Sequence, residues 1–194
     1  LSVKNERGEL VCKTPFPSMP VKFWNDNEDK RYKKAYFEKY KNVWHHGDFA
    51  KITDNGGFII FGRSDTTLNP GGVRLGTSEI YSVVEKLKEI QESVVIGQSW
   101  NNDIRIILFI VLNKGYFLSD EIKLKIKKEI KINASPRHVP SKIIQILEIP
   151  KTKNGKLVEL AVKQCIEGDE IKNLEVLANP DSLKQFKNLK ELNE

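Results

Sequence analysis

The hydrophobic periodicity of this 194-residue chain changes near Gly62, and the change limits the folds that the chain can adopt. Before Gly62, two apolar segments, residues 49–52 and 58–61, are separated by the Asn-Gly-Gly sequence of residues 55–57. Asn and Gly tolerate the positive φ of a tight turn, so this pattern predicts a β-hairpin. After Gly62, apolar residues at helical spacing alternate with short apolar runs that are typical of strands. The chain is therefore predicted to be an α+β protein.

Three parts of the chain differ in pattern. Residues 1–63 have the pattern of short strands and turns, with a helix-like stretch over residues 30–40. Residues 64–168 mix helical and strand-like segments, which predicts a small α+β domain. Residues 169–194 have the composition of a polar tail, with weak helical character over residues 183–192. Within the middle part, the pattern predicts a helix over 79–87, strands over 92–97, 104–112 and 142–149, and helices over 119–132 and 157–166.

The net charge of +6 favours anionic partners. Most of the excess is lysine on helix-like stretches such as residues 123–131, where a solvated helix face is favoured over a binding patch. Arginine is scarce and aromatic residues do not interleave with the basic ones, which argues against a nucleic-acid surface. A basic module that binds nucleic acid or an acidic protein is the alternative from another functional class, and a phosphorylated cofactor would also suit this charge.

Other patterns exclude classes of protein or site. Cys12 and Cys165 are too few and too far apart for a disulfide framework or a zinc site, so free thiols in a cytoplasmic setting are expected. The three histidines lack the spacing of metal ligands, and no metal-ligating residue is predicted. The longest apolar run, residues 106–112, is far shorter than the roughly 18 residues of a membrane span. The chain begins without Met or a signal-peptide pattern, so a fragment of a longer protein is expected.

A short loop, residues 150–156 (Pro-Lys-Thr-Lys-Asn-Gly-Lys), lies between an apolar run and an amphipathic stretch. Its last residue, Lys156, follows a flexible glycine, where its cation can reach a developing negative charge. The loop is not a phosphate-binding loop of the GxxxxGK type, because Pro150 stands where the first glycine would be and Leu157 follows the lysine. By itself such a loop is more typical of a solvated turn. A functional interpretation of Lys156 depends on a second segment upstream.

That segment comprises residues 44–49 (Trp-His-His-Gly-Asp-Phe) and residues 62–80, which begin with Gly-Arg-Ser-Asp. Together with the lysine loop, these motifs resemble in order and spacing the C-terminal part of the AMP-forming acyl-CoA synthetases, the adenylate-forming superfamily. The resemblance covers essentially the whole chain. The frame usual in acetate-activating members is altered at Thr66, Pro70, Gly71 and Val73, and by the late segment 177–183. These departures resemble the members that activate acetoacetate.

The resemblance implies an architecture and a two-step reaction. Residues 1–63 would be the β-rich end of a large N-terminal domain whose remainder precedes Leu1, and residues 64–168 would be a small C-terminal lid domain with a mixed sheet and flanking helices. In the first step, a carboxylate attacks the α-phosphate of ATP, with Mg²⁺, to form an acyl-adenylate and pyrophosphate. In the second step, the thiol of CoA displaces AMP. The fragment alone is expected to be inactive, since the acid pocket would lie upstream.

Four residues receive implied roles around the nucleotide. Lys156 is implied as the catalytic cation that bridges the carboxylate and the α-phosphate; the alternative is a surface lysine in a turn. Asp48 and Arg63 are implied to bind the ribose hydroxyls and nearby oxygens of the nucleotide; the alternatives are a hairpin-edge aspartate and an arginine paired with a surface carboxylate. Asp65 is implied as the hinge about which the lid rotates between the half-reactions; the alternative is a turn cap.

A second group is implied to contact CoA. Residues 69–75 would line the pantetheine tunnel, where Gly71 and Gly72 let the backbone approach a narrow substrate closely. A tight turn is the alternative for a Gly-Gly pair. Arg74 is implied to contact phosphates of the nucleotide or of CoA in one state. Lys127 is implied for the CoA 3′-phosphate from its place in the predicted lysine-rich helix.

The predicted function is therefore that of the C-terminal part of a ligase that activates acetoacetate with ATP and transfers it to CoA. Its implied partners are small molecules and the remaining N-terminal domain of the same chain, with no nucleic acid and no membrane span. The alternatives within enzymes are a ligase for another short acid, such as acetate or propionate, and an adenylate-forming enzyme that passes the acyl group to a carrier.

Overall fold

The computed structural model describes residues 3–171 and 174–193. The chain forms two compact units, which divide between Asp65 and Thr66. Each unit contains one three-stranded sheet, and each is described by itself below. Helices and strands occur in mixed order along the chain, so the predicted α+β class is confirmed.

The sheet of the first unit is antiparallel throughout, in the order β1-β2-β3. Its strands are β1 (Arg7–Cys12), β2 (Trp44–Ile52) and β3 (Phe58–Arg63). The hairpin predicted around residues 55–57 is confirmed, because the backbone N–H of Thr53 donates to the carbonyl of Gly57 at 2.9 Å and closes the turn between β2 and β3. This hairpin brings the end of β3 beside the Trp-His-His-Gly-Asp sequence of β2.

A cluster of aromatic side chains holds the helix of the first unit on its sheet. The helix α1 (Lys30–Tyr36) places the ring of Tyr36 against that of Trp44, with centroids 3.7 Å apart and nearly parallel planes. Trp44 is only 7% exposed. The helix is shorter than the stretch predicted to residue 40, because Phe37 leaves helical geometry (φ −127°, ψ −1°) and packs edge-on against Trp44.

The sheet of the second unit has the order β4-β5-β6. Strands β4 (Ile90–Trp100) and β5 (Asp103–Leu112) form a long antiparallel hairpin, and β6 (Lys142–Gln145) runs parallel to β5. The strand predicted over residues 142–149 is shorter than expected. Ile146 and Ile149 are buried beyond its end, so the apolar pattern continues after the chain has left the ladder.

Alternate residues of β5 face two different cores, as the period of a strand requires. The helices of this unit are α2 (Thr77–Val84), α3 (Asp120–Asn133) and α4 (Glu159–Glu167). Ile106, Leu108 and Ile110 pack in one core with residues of α2 and α3. Ile107, Phe109 and Val111 pack in the other, with residues of α4. Among the described residues, no helix is long and apolar enough to cross a membrane.

The C-terminal segment also packs on the second core. Residues 169–194 were predicted to be a polar tail, yet within the described residues 174–193 four apolar side chains are buried, namely Leu177, Leu183, Phe186 and Leu192. The ring of Phe186 packs edge-on against that of Phe109, with the ring centroids 4.9 Å apart. The segment is folded into short 3-10 turns rather than a regular helix, so the helical character predicted over residues 183–192 corresponds to 3-10 turns. Residues 1, 2, 172, 173 and 194 lie outside the described part of the chain.

Candidate active site

The ends of β2 and β3 carry three of the predicted nucleotide and hinge residues. Asp48 lies opposite Arg63 in the ladder between the two strands. The guanidinium of Arg63 donates to both carboxylate oxygens of Asp65, from Nη2 at 2.9 Å and from Nε at 3.2 Å. These hydrogen bonds raise the pKa of Arg63, and the negative charge of Asp48 adds to the effect. A charged arginine fork is therefore held at the last residue of the hairpin.

Gly47 allows the guanidinium to lie across the backbone of β2. Its φ is +86°, and a Cβ added to it would stand 3.0 Å from Nη2 of Arg63. The side chain of Asp48 is 16% exposed and is hydrogen bonded to Nδ1 of His46. An acceptor carboxylate and a planar cation thus sit side by side, which is a suitable arrangement for ribose hydroxyls and phosphate oxygens.

Lys156 lies on a closed turn, which we call the lysine turn (residues 151–157). Lys151 and Leu157 form an antiparallel bridge at its base. The backbone N–H of Thr152 donates to the carbonyl of Lys156 at 2.9 Å, and Oγ1 of Thr152 accepts from the backbone N–H of Lys156 at 3.1 Å. The side chain of Lys156 is exposed. The cation is therefore free to meet a ligand while its backbone is held in place.

The residue at the base of the lysine turn is fixed to two other elements. Nζ of Lys151 makes an ion pair with Oε1 of Glu92 on β4 at 2.5 Å, and both side chains are about one-third exposed. The backbone of Lys151 is bound by the C-terminal segment, where the N–H of Ala178 donates to its carbonyl at 2.8 Å. The predicted loop is thus anchored on its N-terminal side rather than flexible along its whole length.

A second turn, which we call the glycine turn (residues 69–74), contains Gly71, Gly72 and Arg74. Leu68 and Leu75 close it with two reciprocal backbone hydrogen bonds of 3.1 and 2.8 Å, and both leucines are buried. Gly71 and Gly72 have φ of +56° and +74°, and a Cβ at either position would meet nothing within 4 Å. The surface over this backbone is therefore open to another molecule.

The glycine turn and the lysine turn lie at opposite ends of β4. The carboxylate of Asp103, which pairs with the last residue of β4, accepts from the N–H of Gly71 at 2.9 and 3.0 Å. The lysine turn is joined to Glu92, near the other end of the same strand. Glu92 and Trp100 are separated by eight residues, or about 26 Å at the rise of a β-strand. The two turns therefore present their functional groups on well-separated parts of the unit.

Comparison with known proteins assigns part of the chain to a domain family. Residues 79–156 match the family model of the AMP-binding enzyme C-terminal domain and belong to that domain family. The chain is 54% identical over 190 residues to acetoacetyl-coenzyme A synthetase of Rhizobium meliloti (strain 1021), an overlap of 98% of this chain and 29% of that protein. The chain therefore spans less than a third of the length of this relative.

Two other proteins are similar to the chain over nearly its whole length. The chain is 46% identical over 193 residues to acetoacetyl-CoA synthetase of Xenopus tropicalis, an overlap of 98% of this chain and 29% of that protein. It also superposes on the structure of acetoacetyl-CoA synthetase from Streptomyces lividans with a TM-score of 0.90 and 40% identity. That superposition covers 99% of this chain and 29% of the other.

The predicted site residues fall into separate groups. The structure brings together the three in the first unit, Asp48, Arg63 and Asp65. The glycine turn holds three more, Gly71, Gly72 and Arg74, and the lysine turn holds Lys156. Lys127 lies half-buried on α3, away from both turns in sequence, and no hydrogen bond or ion pair joins it to the glycine turn in residues 3–171 and 174–193.

Three residues that sequence reasoning missed support these groups. His46 contacts Asp48, Asp103 binds the glycine turn, and Asn179 binds the lysine turn. Asn179 precedes Pro180, and an Asn-Pro pair is a signal for the start of a turn. Asp103 follows the Asn-Asn pair of the β4–β5 hairpin. Both signals predict local turns, but neither predicts the distant partner.

Proposed function

We propose that this chain is the C-terminal part of an AMP-forming ligase that activates acetoacetate with ATP and transfers the acyl group to CoA. The observation that carries the proposal is the exposed Lys156 on an anchored turn within the C-terminal domain of an AMP-binding enzyme. Identities of 54% and 46% to proteins named acetoacetyl-CoA synthetases support acetoacetate over another short acid. A basic nucleic-acid module has no comparable support.

In the proposed first step, Lys156 neutralises charge during formation of the acyl-adenylate. The carboxylate oxygen of the acid forms a bond to the α-phosphorus, and the bond to pyrophosphate breaks. A positioned ammonium group lowers the barrier because negative charge is concentrated on the phosphate oxygens in the transition state. Asp48 would accept hydrogen bonds from the ribose hydroxyls, and Arg63 would donate to oxygens of the nucleotide.

In the proposed second step, the glycine turn guides CoA to the adenylate. The thiol sulfur forms a bond to the acyl carbon, and the bond to AMP breaks. Gly71 and Gly72 suit a narrow pantetheine chain, since the space where a Cβ would stand is open at both positions. Arg74 is exposed and would contact a phosphate in one of the two states. Lys127, half-buried on α3, would contact the 3′-phosphate of CoA.

Other parts of the proposal concern the surroundings of the site. Among the described residues, no three His, Cys, Asp or Glu side chains lie close enough to hold a metal ion. Mg²⁺ therefore enters the proposal only with ATP, and none of these residues is assigned to it. The acid pocket and the remaining nucleotide contacts would belong to a larger N-terminal domain, and the 194-residue chain alone would be inactive. Cytoplasmic localisation stays a prediction from the two free cysteines.

The substrate is tested by acid-dependent pyrophosphate release from ATP with the full-length enzyme. Acetoacetate is expected to have the highest kcat/KM among acetoacetate, acetate and propionate, and release without CoA should stop near one equivalent. The 194-residue chain assayed alone should release none. Preference for acetate or propionate would overturn the assignment of the acid while leaving the reaction class intact.

The role of the lysine is tested by Lys156→Ala in the full-length enzyme. Adenylation should fall by about 100-fold or more, because the transition-state charge loses its partner. Thioester formation from supplied acetoacetyl-adenylate and CoA should be largely spared. Lys153→Ala is the matched control, since this exposed lysine lies in the same turn, and it should leave both half-reactions unchanged. Equal loss of both half-reactions in Lys156→Ala would contradict the assigned role.

A further inference from the structure

The lysine turn is covered on one side by the C-terminal segment, residues 176–179. Thr152 and Leu177 form an antiparallel bridge. The backbone N–H of Lys153 donates to the carbonyl of Val176 at 3.0 Å, and the N–H of Ala178 donates to the carbonyl of Lys151 at 2.8 Å. The first arm of the turn is therefore the middle strand of a minimal sheet, with the second arm of the turn on its other edge.

Asn179 completes this attachment with its side chain. Its Oδ1 accepts from the backbone N–H of Lys151 at 2.9 Å, while its Nδ2 donates to the carbonyl of Ile149 at 3.0 Å and to Oε2 of Glu148 at 2.9 Å. A carboxamide has an acceptor and two donor hydrogens in one plane, so a single asparagine satisfies all three partners. Aspartate would keep the acceptor, lose both donors and face the carboxylate of Glu148.

The segment that carries Asn179 is itself fixed to the core. Leu177 is 5% exposed and Leu183 is 3% exposed, on either side of Asn179. Ser182 donates from its backbone N–H and from Oγ to the carbonyl of Asn179, at 3.1 and 2.6 Å. The carboxamide therefore projects from a rigid support. An asparagine on a mobile tail would only limit the movement of the lysine turn, whereas an asparagine on this buried segment fixes the position of the turn.

We propose that Asn179 is a positioning residue for Lys156, which it holds in register by fixing the base of the lysine turn. This inference rests on the proposed function of Lys156 in adenylation. Lys151 bridges to Leu157, the neighbour of Lys156, so a shift at Lys151 is passed directly to the cation. A displacement of about 1 Å can cost an enzyme on the order of 100-fold in rate, since catalysis depends on the alignment of the reacting groups.

The experiment measures the two half-reactions separately in the full-length enzyme carrying Asn179→Ala or Asn179→Asp. Adenylation, followed by pyrophosphate release without CoA, should slow by about 10- to 100-fold in kcat with a smaller change in KM for ATP. Thioester formation from supplied acetoacetyl-adenylate should stay within about twofold of wild type, because the lysine turn takes no part in it. The Asp variant, which keeps the shape of the side chain and the acceptor for the N–H of Lys151, carries the test if the Ala variant does not fold.

Asn113→Ala is the matched control. Its carboxamide also donates to two backbone carbonyls, those of Lys88 and Ile90, at 2.8 and 3.1 Å, but it does not touch the lysine turn. It should leave the ratio of the two half-reaction rates unchanged. Hydrogen exchange gives a second readout, since the amides of Lys153 and Gly155 should exchange faster in the Asn179 variants and not in Asn113→Ala.

Parallel assay of Lys156→Ala separates the two ways in which the inference can fail. If Lys156→Ala abolishes adenylation while both Asn179 variants adenylate within twofold of wild type, the positioning role is overturned and the proposed function stands. If the Asn179 variants lose both half-reactions in proportion, Asn179 is a purely structural residue and the inference is again overturned. If Lys156→Ala adenylates normally, the proposed function fails and the inference fails with it.

Discussion

A single methyl group added at Gly47 should disturb the proposed contact between Arg63 and the nucleotide. A Cβ there would stand 3.0 Å from Nη2 of Arg63, whose guanidinium is held by Asp65. We expect Gly47→Ala to displace the guanidinium and to raise KM for ATP in the full-length enzyme several-fold, an effect of about 1 kcal/mol, the size of a typical hydrogen bond. The measurement is steady-state adenylation at varied ATP concentration.

Gly56→Ala separates this effect from backbone strain. Gly56 has φ of +78°, close to the +86° of Gly47, but a Cβ there would meet nothing within 4 Å. Both variants should lose about 1–2 kcal/mol of unfolding free energy from the left-handed conformation. Only Gly47→Ala should change KM for ATP. The same KM in both variants would mean that Arg63 does not contact the nucleotide.

The glycine turn depends on one carboxylate from another element. Asp103, at the start of β5, accepts from the N–H of Gly71 with both oxygens. Asp103→Ala in the full-length enzyme should slow thioester formation from supplied acetoacetyl-adenylate by about 10-fold, because the turn loses the contact that orients it. Adenylation should be unchanged. The two half-reactions are followed by CoA-thioester formation and by pyrophosphate release.

Two further variants make that prediction specific. Asp103→Asn keeps an oxygen acceptor for the N–H of Gly71 and should recover most of the thioester rate. Asp120→Ala removes an exposed aspartate at the start of α3, where it pairs with the nearby Lys123, and should change neither half-reaction. Loss of adenylation in Asp103→Ala as large as the loss of thioester formation would remove the glycine turn from its assigned step.

Elements with local signals could be predicted from the sequence, and elements held by distant partners could not. The Asn-Gly-Gly hairpin and the helix α3, whose Ser119 accepts a capping hydrogen bond from the N–H of Ile122, follow local rules. The burial of the C-terminal segment could not be predicted in this way, because Phe186 is buried by Phe109, which is far away in sequence. From composition alone, the segment was therefore predicted to be a polar tail.

The same limit applies to the candidate site. Lys156, Asp48 and Arg63 were predicted because they lie in motifs that resemble a family. Asn179 lies in none of the chemistry-bearing motifs, and its contact with Lys151 crosses 28 residues of sequence. Its support of the lysine turn depends on burial of Leu177 and Leu183 in a core that includes strand β5. Supporting residues of this kind become visible only when the tertiary contacts are known.

The lysine turn and the glycine turn are anchored far apart on the second unit. The lysine turn and the glycine turn are tied to opposite ends of β4, about 26 Å apart by the rise of a strand. Turns anchored at opposite ends of one strand are poorly placed to meet a single reacting centre at the same time. We therefore propose that the lysine turn and the glycine turn act in different half-reactions, with a change of backbone conformation between them. Asp65, the last residue of the first unit, is the proposed pivot.

Asp65→Pro in the full-length enzyme tests this pivot. The ring of proline fixes φ near −65° and disfavours the α conformation of the residue before it, so rotation about φ can no longer contribute to a hinge there. We expect one half-reaction to stay within about twofold of wild type and the other to fall by at least about 10-fold, as expected if one orientation is trapped. Asp65→Ala also loses the carboxylate that binds Arg63 but keeps a free φ, so it should retain both half-reactions to a similar degree. Equal rates in the Pro and Ala variants would place the pivot elsewhere in the chain, because restriction of the backbone at this residue would then have no effect of its own.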